Sequence, residues 1–121
     1  MTTDAKTTEA VLSHHLDSFL KLPSVGVAGV AELLADYAPD AKIFTPHGVI
    51  EGEANRKSFF EDMIPLAEKL LPTLTLDVQE VRGEVAYIVW SAGATAPLGT
   101  DTFVVRDGKI VVQTFAAYLP S

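Results

Sequence analysis

Few side chains in this sequence are of types that do chemistry, and Asp101 has the most telling neighbours. It sits in Gly99-Thr100-Asp101-Thr102-Phe103-Val104-Val105, where strand alternation puts Asp101, Phe103 and Val105 on one face. Phe103 and Val105 favour burial. Asp101 is either buried with them, where desolvation raises a carboxyl pKa and suits it to act as neutral donor, general acid or general base, or it lies at the strand start, solvated or bonded to a turn amide. His15 shares the apolar stripe of a helix with Leu12, Leu16 and Phe19, whereas His14, about 100° further round, faces elsewhere. Such a histidine is a packed core residue or a pocket donor. His47, in the turn Pro46-His47-Gly48, overhangs a pocket mouth or meets solvent, and Thr45 offers a hydroxyl that orients a substrate oxygen or simply completes a strand. Tyr87 and Trp90, three apart on one strand, face opposite sides, so only one lines an interior. The other supplies apolar area that a dimer partner could cover.

Other chemistries lack their residues. With no cysteine there is no disulfide, thiolate ligand or cysteine nucleophile, and no HExxH spacing appears, so no metal is expected. There is no nucleophile elbow, phosphate-binding glycine loop or Ser/His/Asp spacing. Asp40, Glu51 and Glu53 give Asp101 no clear partner for glycoside hydrolysis. Nine basic against sixteen acidic residues give a formal charge of −7 without any Lys or Arg run, which argues against nucleic acid. The 121 residues, 48% apolar and 21% charged, suit a single folded domain over 1–121, with residues 1–7 a flexible N-terminus. The polar start carries Asp4 and no leader pattern, and no apolar run spans a bilayer, so a soluble, cytoplasmic protein is expected, with no membrane partner.

The elements that must position these residues follow from periodicity. Thr8–Leu22 reads as an amphipathic helix ended by Pro23, and Val27–Tyr37 as a second, short one. Ala41–Thr45 and Val49–Glu51 form a small hairpin. A third helix, Gly52–Leu71, puts Phe59, Phe60, Met63, Ala67 and Leu70 on one face and should bend at Pro65. The period then changes to two, predicting strands at Thr73–Val81, Val85–Ala94, Gly99–Arg106 and Lys109–Tyr118 as an antiparallel meander. Tight turns fall at Arg82-Gly83-Glu84 and Asp107-Gly108, and Thr95–Leu98, with Pro97, is a looser connection. Helices first and strands last argue for α+β, three helices covering one face of a strongly curved antiparallel sheet that encloses a pocket.

This order, with Leu34-Ala35-Asp36-Tyr37-Ala38-Pro39-Asp40-Ala41, Ile43-Phe44-Thr45-Pro46-His47-Gly48, Gly52 and the run Gly99 to Ile110, resembles the nuclear-transport-factor-2-like (NTF2-like) superfamily over nearly the whole chain. It is most similar to its SnoaL-like and ketosteroid-isomerase-like bacterial members. The resemblance implies a cone-shaped, cystatin-like fold, a homodimer through the outer sheet face and a scaffold that hosts isomerases, cyclases, dehydratases, hydrolases and non-catalytic binders. By position, Asp101 matches the protonated aspartate that in ketosteroid isomerases donates to an enolate oxygen. The partner tyrosine of that oxyanion hole falls on or next to His15. The general-base aspartate falls at Thr45, which leaves His47, two residues on, as the candidate base.

The expectation is therefore a cofactor-independent isomerase, cyclase or dehydratase acting on a small apolar carbonyl or polycyclic compound. Asp101, His15 and His47 would be catalytic, with Phe19, Thr45, Phe59, Met63, Trp90, Phe103 and Phe115 around the substrate. The rival expectation is a non-catalytic ligand-binding or dimerisation domain, favoured by Thr45 at the base position. An enzyme needs at least two polar groups converging on one substrate atom; a binder does not.

Overall fold

The structure is a computed structural model that describes residues 4–120. Helix α1 spans Ala5–Leu20, capped by the Asp4 carboxylate, which accepts from the Thr7 amide at 2.8 Å. Residues 1–7, expected above as a flexible tail, thus contribute Ala5 to Thr7 to this helix, and residues 1–3 lie outside the described residues. The buried Thr8 hydroxyl donates to the Gly83 carbonyl at 2.7 Å and ties the start of α1 to a strand hairpin. Pro23 opens a helix: α2, Leu22–Val25, carries it in the first turn, where a missing N–H has no intrahelical partner to lose. Instead of three helices there are four, with α3 at Val27–Leu34 and α4 at Glu53–Leu70. Helix α4 runs through Pro65 and passes into a 3₁₀ turn at Leu71–Thr73.

Helix α3 stops short of Tyr37, which instead begins strand β1, Tyr37–Thr45. The sheet pulls the chain out of helix there: the Ile110 amide donates to the Asp36 carbonyl at 2.7 Å, and Tyr37 pairs with Ile110. The remaining strands are β2 (Gly48–Glu51), β3 (Leu74–Arg82), β4 (Val85–Ala92), β5 (Ala96–Arg106) and β6 (Lys109–Tyr118), in the order β2-β1-β6-β5-β4-β3. The last four form the expected antiparallel meander. The sheet is not wholly antiparallel, however, because β1 and β6 are parallel. Helix α4 carries the chain back so that β3 runs in the direction of β2, and three hairpin reversals later β6 must run with β1. The curved sheet remains open.

Irregularities in the ladder aim the interior side chains. The register slips between Trp90 and Ala92 on β4, and Pro97, expected in a loop, lies in β5 at that slip, where no ladder N–H is required. A second slip, opposite Val104 and Val105, turns Gln113 inward with Phe115 on β6. In β1 the pairing jumps from Tyr37 to Lys42, and the Ala38, Pro39 and Ala41 carbonyls freed between them accept from the buried Arg56 guanidinium at 2.9–3.4 Å. Its Cζ lies 5.6 Å from the Tyr37 ring centroid. Trp90 faces inward and Tyr87 outward, 39% exposed. The core, including Leu12, Leu33, Ile43, Phe60, Leu70, Ile88 and Val105, lies between helices and sheet.

Gly99 pairs directly with Trp90, and a Cβ on it would come within 2.1 Å of the indole ring. A rigid ring cannot yield as a flexible side-chain tip would. Gly99→Ala is expected to cost about 1–3 kcal/mol, read as a lower denaturant midpoint with an altered tryptophan emission spectrum.

Candidate functional site

Asp101 faces inward from the middle of β5 and is buried, flanked diagonally by Trp90 on β4 and Gln113 on β6. The Trp90 indole Nε1–H donates to Asp101 Oδ1 at 2.9 Å, and the Gln113 Nε2–H donates to Oδ2 at 2.9 Å. Burial raises the pKa of Asp101; those two hydrogen bonds and the nearby charge of His15 oppose the shift without cancelling it.

From Gln113 the hydrogen bonding continues. Its Oε1 accepts from the buried Tyr37 hydroxyl, whose oxygen lies 3.3 Å from His15 Nε2. His15 Nδ1 is 3.0 Å from Asp36 Oδ2, and His14 Nδ1 is 2.7 Å from Asp36 Oδ1. His14 Nε2 then reaches Glu32 at 3.3 Å. A continuous polar chain thus runs from the surface at Glu32 to Asp101. Burial, then the Asp101 and Asp36 carboxylates, hold the Tyr37 hydroxyl well above its ordinary value, with Arg56 opposing. Tyr37 therefore stays a neutral phenol that can donate and accept at once.

The inner end of this chain forms one wall of an apolar cavity of about 90 Å³. His15, Trp90, Asp101 and Gln113 line it with Phe19, Phe59, Phe60, Met63, Phe103 and Phe115 among others. Of the residues singled out in the sequence, Asp101, His15, Phe19, Phe59, Met63, Trp90, Phe103 and Phe115 meet here. Thr45 and His47 do not. His47 is exposed in the turn between β1 and β2, its amide donating to Thr45 Oγ1 at 3.1 Å, while the Thr45 hydroxyl donates to the Gly48 carbonyl at 2.9 Å. The base that was to replace an aspartate at Thr45 is absent from the cavity wall, because this hairpin lies on the outermost strand pair of the sheet.

Sequence reasoning missed Asp36, Tyr37 and Gln113. Alternation counted back from Phe115 would have placed Gln113 inside, whereas Asp36 and Tyr37 were hidden by their assignment to a helix. Among the described residues no group of three or more His, Asp or Glu side chains is arranged to hold a metal ion, and no helix is long and apolar enough to cross a membrane.

No protein-family profile and no curated protein matches the sequence. Solved structures do. A protein of Kribbella flavida named a "putative ketosteroid isomerase" is 21% identical with a TM-score of 0.66, over 98% of this chain and 85% of that one. An NTF2-like protein of unknown function from Burkholderia xenovorans is 17% identical with a TM-score of 0.68, over 96% and 86%. An NTF2-like protein from Anabaena variabilis is 18% identical with a TM-score of 0.67, over 100% of this chain and 95% of that one. The chain has the NTF2-like fold.

His14 has a carboxylate at each ring nitrogen, so both nitrogens must donate, and the bond to Asp36 first, then its charge and the weaker Glu32 contact, raise its pKa. A raised imidazole value contributes stability that is fully present below about pH 6.5 and is lost as pH rises through the raised value. In denaturant titrations, His14→Ala should therefore fall furthest below the wild type near pH 5–6 and approach it at alkaline pH.

Proposed function

We propose that this chain is a cofactor-independent acid–base enzyme of the isomerase, cyclase or dehydratase kind, acting on a small enolisable carbonyl compound. The observation that carries the reading is that two titratable side chains, His15 and Asp101, line one cavity whose remaining walls, Gln113 apart, are mainly apolar. In such a site one group removes a proton from the carbon next to the carbonyl. The other donates a hydrogen bond to the oxygen that becomes an enolate, and the proton returns to carbon or a leaving group departs. The apolar walls exclude water and strengthen both interactions. A space of about 90 Å³ favours a small substrate over a polycyclic one, since ligand pockets for larger molecules run to roughly 300–1,000 Å³. Exposed Tyr87 and Val85 on the outer sheet face fit a homodimer. His47 is given no part in this reading.

A binding module is the second reading, and one observation favours it. Both Asp101 oxygens are already bonded within the protein. A static, internally satisfied carboxyl can serve as structure alone.

Proton exchange for deuterium next to the carbonyl of small ketones, followed by NMR in D₂O, separates the two. The enzyme reading expects catalysed exchange that falls by about 10²–10³-fold in Asp101→Asn, with the variant still folded. A panel in which wild type and Asp101→Asn exchange at the same rate removes Asp101 from any mechanism. A direct titration of the Asp101 carboxyl should give a midpoint above the unperturbed value of about 3.9.

A further inference from the structure

The buried chain from Asp36 to Trp90 has fixed ends. The Asp36 carboxylate accepts from the His14 and His15 rings, so His15 Nδ1 carries a proton. The Trp90 indole only donates, so Asp101 Oδ1 accepts, and a proton on Oδ2 can be turned to face Gln113. Between these ends the donors and acceptors can be ordered in two complete ways.

In the first, His15 is protonated on both nitrogens and Nε2–H points at the Tyr37 oxygen. Tyr37 donates to Gln113 Oε1, and Gln113 Nε2–H donates to an ionised Asp101. This is the amide orientation in the structure. In the second, Asp101 Oδ2–H donates to Gln113 Oε1 after the amide has turned over. Gln113 Nε2–H then donates to the Tyr37 oxygen, and Tyr37 donates to a bare His15 Nε2. Both orders contain the same number of protons and carry the same net charge. Going from first to second moves one proton, in net, from His15 Nε2 to Asp101 Oδ2.

We propose that Gln113 is a positioning residue whose amide orientation decides which of His15 and Asp101 holds the shared proton. It acts through its two neighbours and leaves the cavity chemistry to them. The inference deepens the acid–base reading of the site, for it decides which group is acid and which is base. With the amide as it stands, Asp101 is ionised and His15 an imidazolium bonded to Tyr37; with the amide reversed, Asp101 is neutral and His15 a neutral imidazole. The charged and titratable groups that face the chain are His14 and His15 from α1, Asp36 from the segment after α3, Tyr37 from β1, Asp101 from β5 and Arg56 from α4, the last over the Tyr37 ring. Between the two proton sites lie the Tyr37 hydroxyl, whose proton can rotate to either neighbour, and the Gln113 amide, which has a donor on one end and an acceptor on the other and must turn over as a whole.

Asp101→Asn tests this without reference to turnover. The indole holds the new amide's oxygen, so its NH₂ must face Gln113, which forces the reversed orientation and a bare His15 Nε2. Ring ¹⁵N shifts at pH 7 should show the ratio of bare to protonated Nε2 rising at least tenfold in Asp101→Asn. In a Gln113→Leu background the same substitution should change that ratio less than threefold. Equal changes in the two backgrounds would mean that His15 senses only the charge at position 101, and the proposal would be wrong. Should Gln113→Leu fail to fold, the Gln113 side-chain NH₂ resonances decide: they should shift between wild type and Asp101→Asn and between the ends of the Asp101 titration. If they stay put, the proposal falls. An absence of ketone exchange with the expected ¹⁵N result would overturn only the enzyme reading.

Discussion

The cost of burying one carboxyl group organises much of this structure. An ionised or even neutral carboxyl inside an apolar wall is tolerated only if its oxygens are bonded, and a missing bond costs on the order of 1–3 kcal/mol. Asp101 meets that demand with one donor from each neighbouring strand. Trp90 can reach it because Gly99 leaves room for the indole. Gln113 can reach it because β6 slips by one residue and turns the amide inward. Each solution creates the next demand: the other end of the Gln113 amide needs Tyr37, Tyr37 meets His15, and His15 needs Asp36.

Tyr37 is where fold and site are hardest to separate. It is the first residue of β1, and the carbonyls released just after it are gathered by Arg56, whose Nε finds no partner among the described residues. A buried guanidinium bonded, among the described residues, to carbonyls and set over a ring is an expensive way to shape a strand. It holds the irregular opening of β1 so that the phenol points along the polar chain.

Local pattern made much of this legible in advance. The apolar stripe of the first helix located His15 inside and His14 outside, and alternation put Asp101 on the face of Phe103 and Val105 while leaving open whether it was buried or at the strand start. What local pattern could not show was pairing. The helical period across Val27 to Tyr37 is sound up to Leu34, but a hydrogen bond from Ile110 and pairing with β6 decide the last residues. That decision turns Asp36 and Tyr37 from helix surface into site. Pro23 and Pro97 misled for a related reason: a proline marks a lost N–H, and whether that ends an element, opens one or sits at a slip depends on neighbours the sequence does not adjoin. His47 was carried by position alone. Its side chain is on the exposed rim of the sheet.

The parallel pairing of β1 with β6 has a consequence for how the molecule is made. His15, Asp36 and Tyr37 belong to the first third of the chain, and Trp90, Asp101 and Gln113 to the last. The hydrogen-bond chain between the two groups closes through Gln113, when the final strand docks beside β1. Such a closure joins segments of high sequence separation and is entropically late in folding. During synthesis, helices α1, α3 and α4 can collapse while β6 is still unmade, but Tyr37 then lacks its Gln113 partner. Gln113 on β6 is the link that joins the two halves of the polar chain, so a chain shortened before Gln113 would lose the connection between Tyr37 and Asp101.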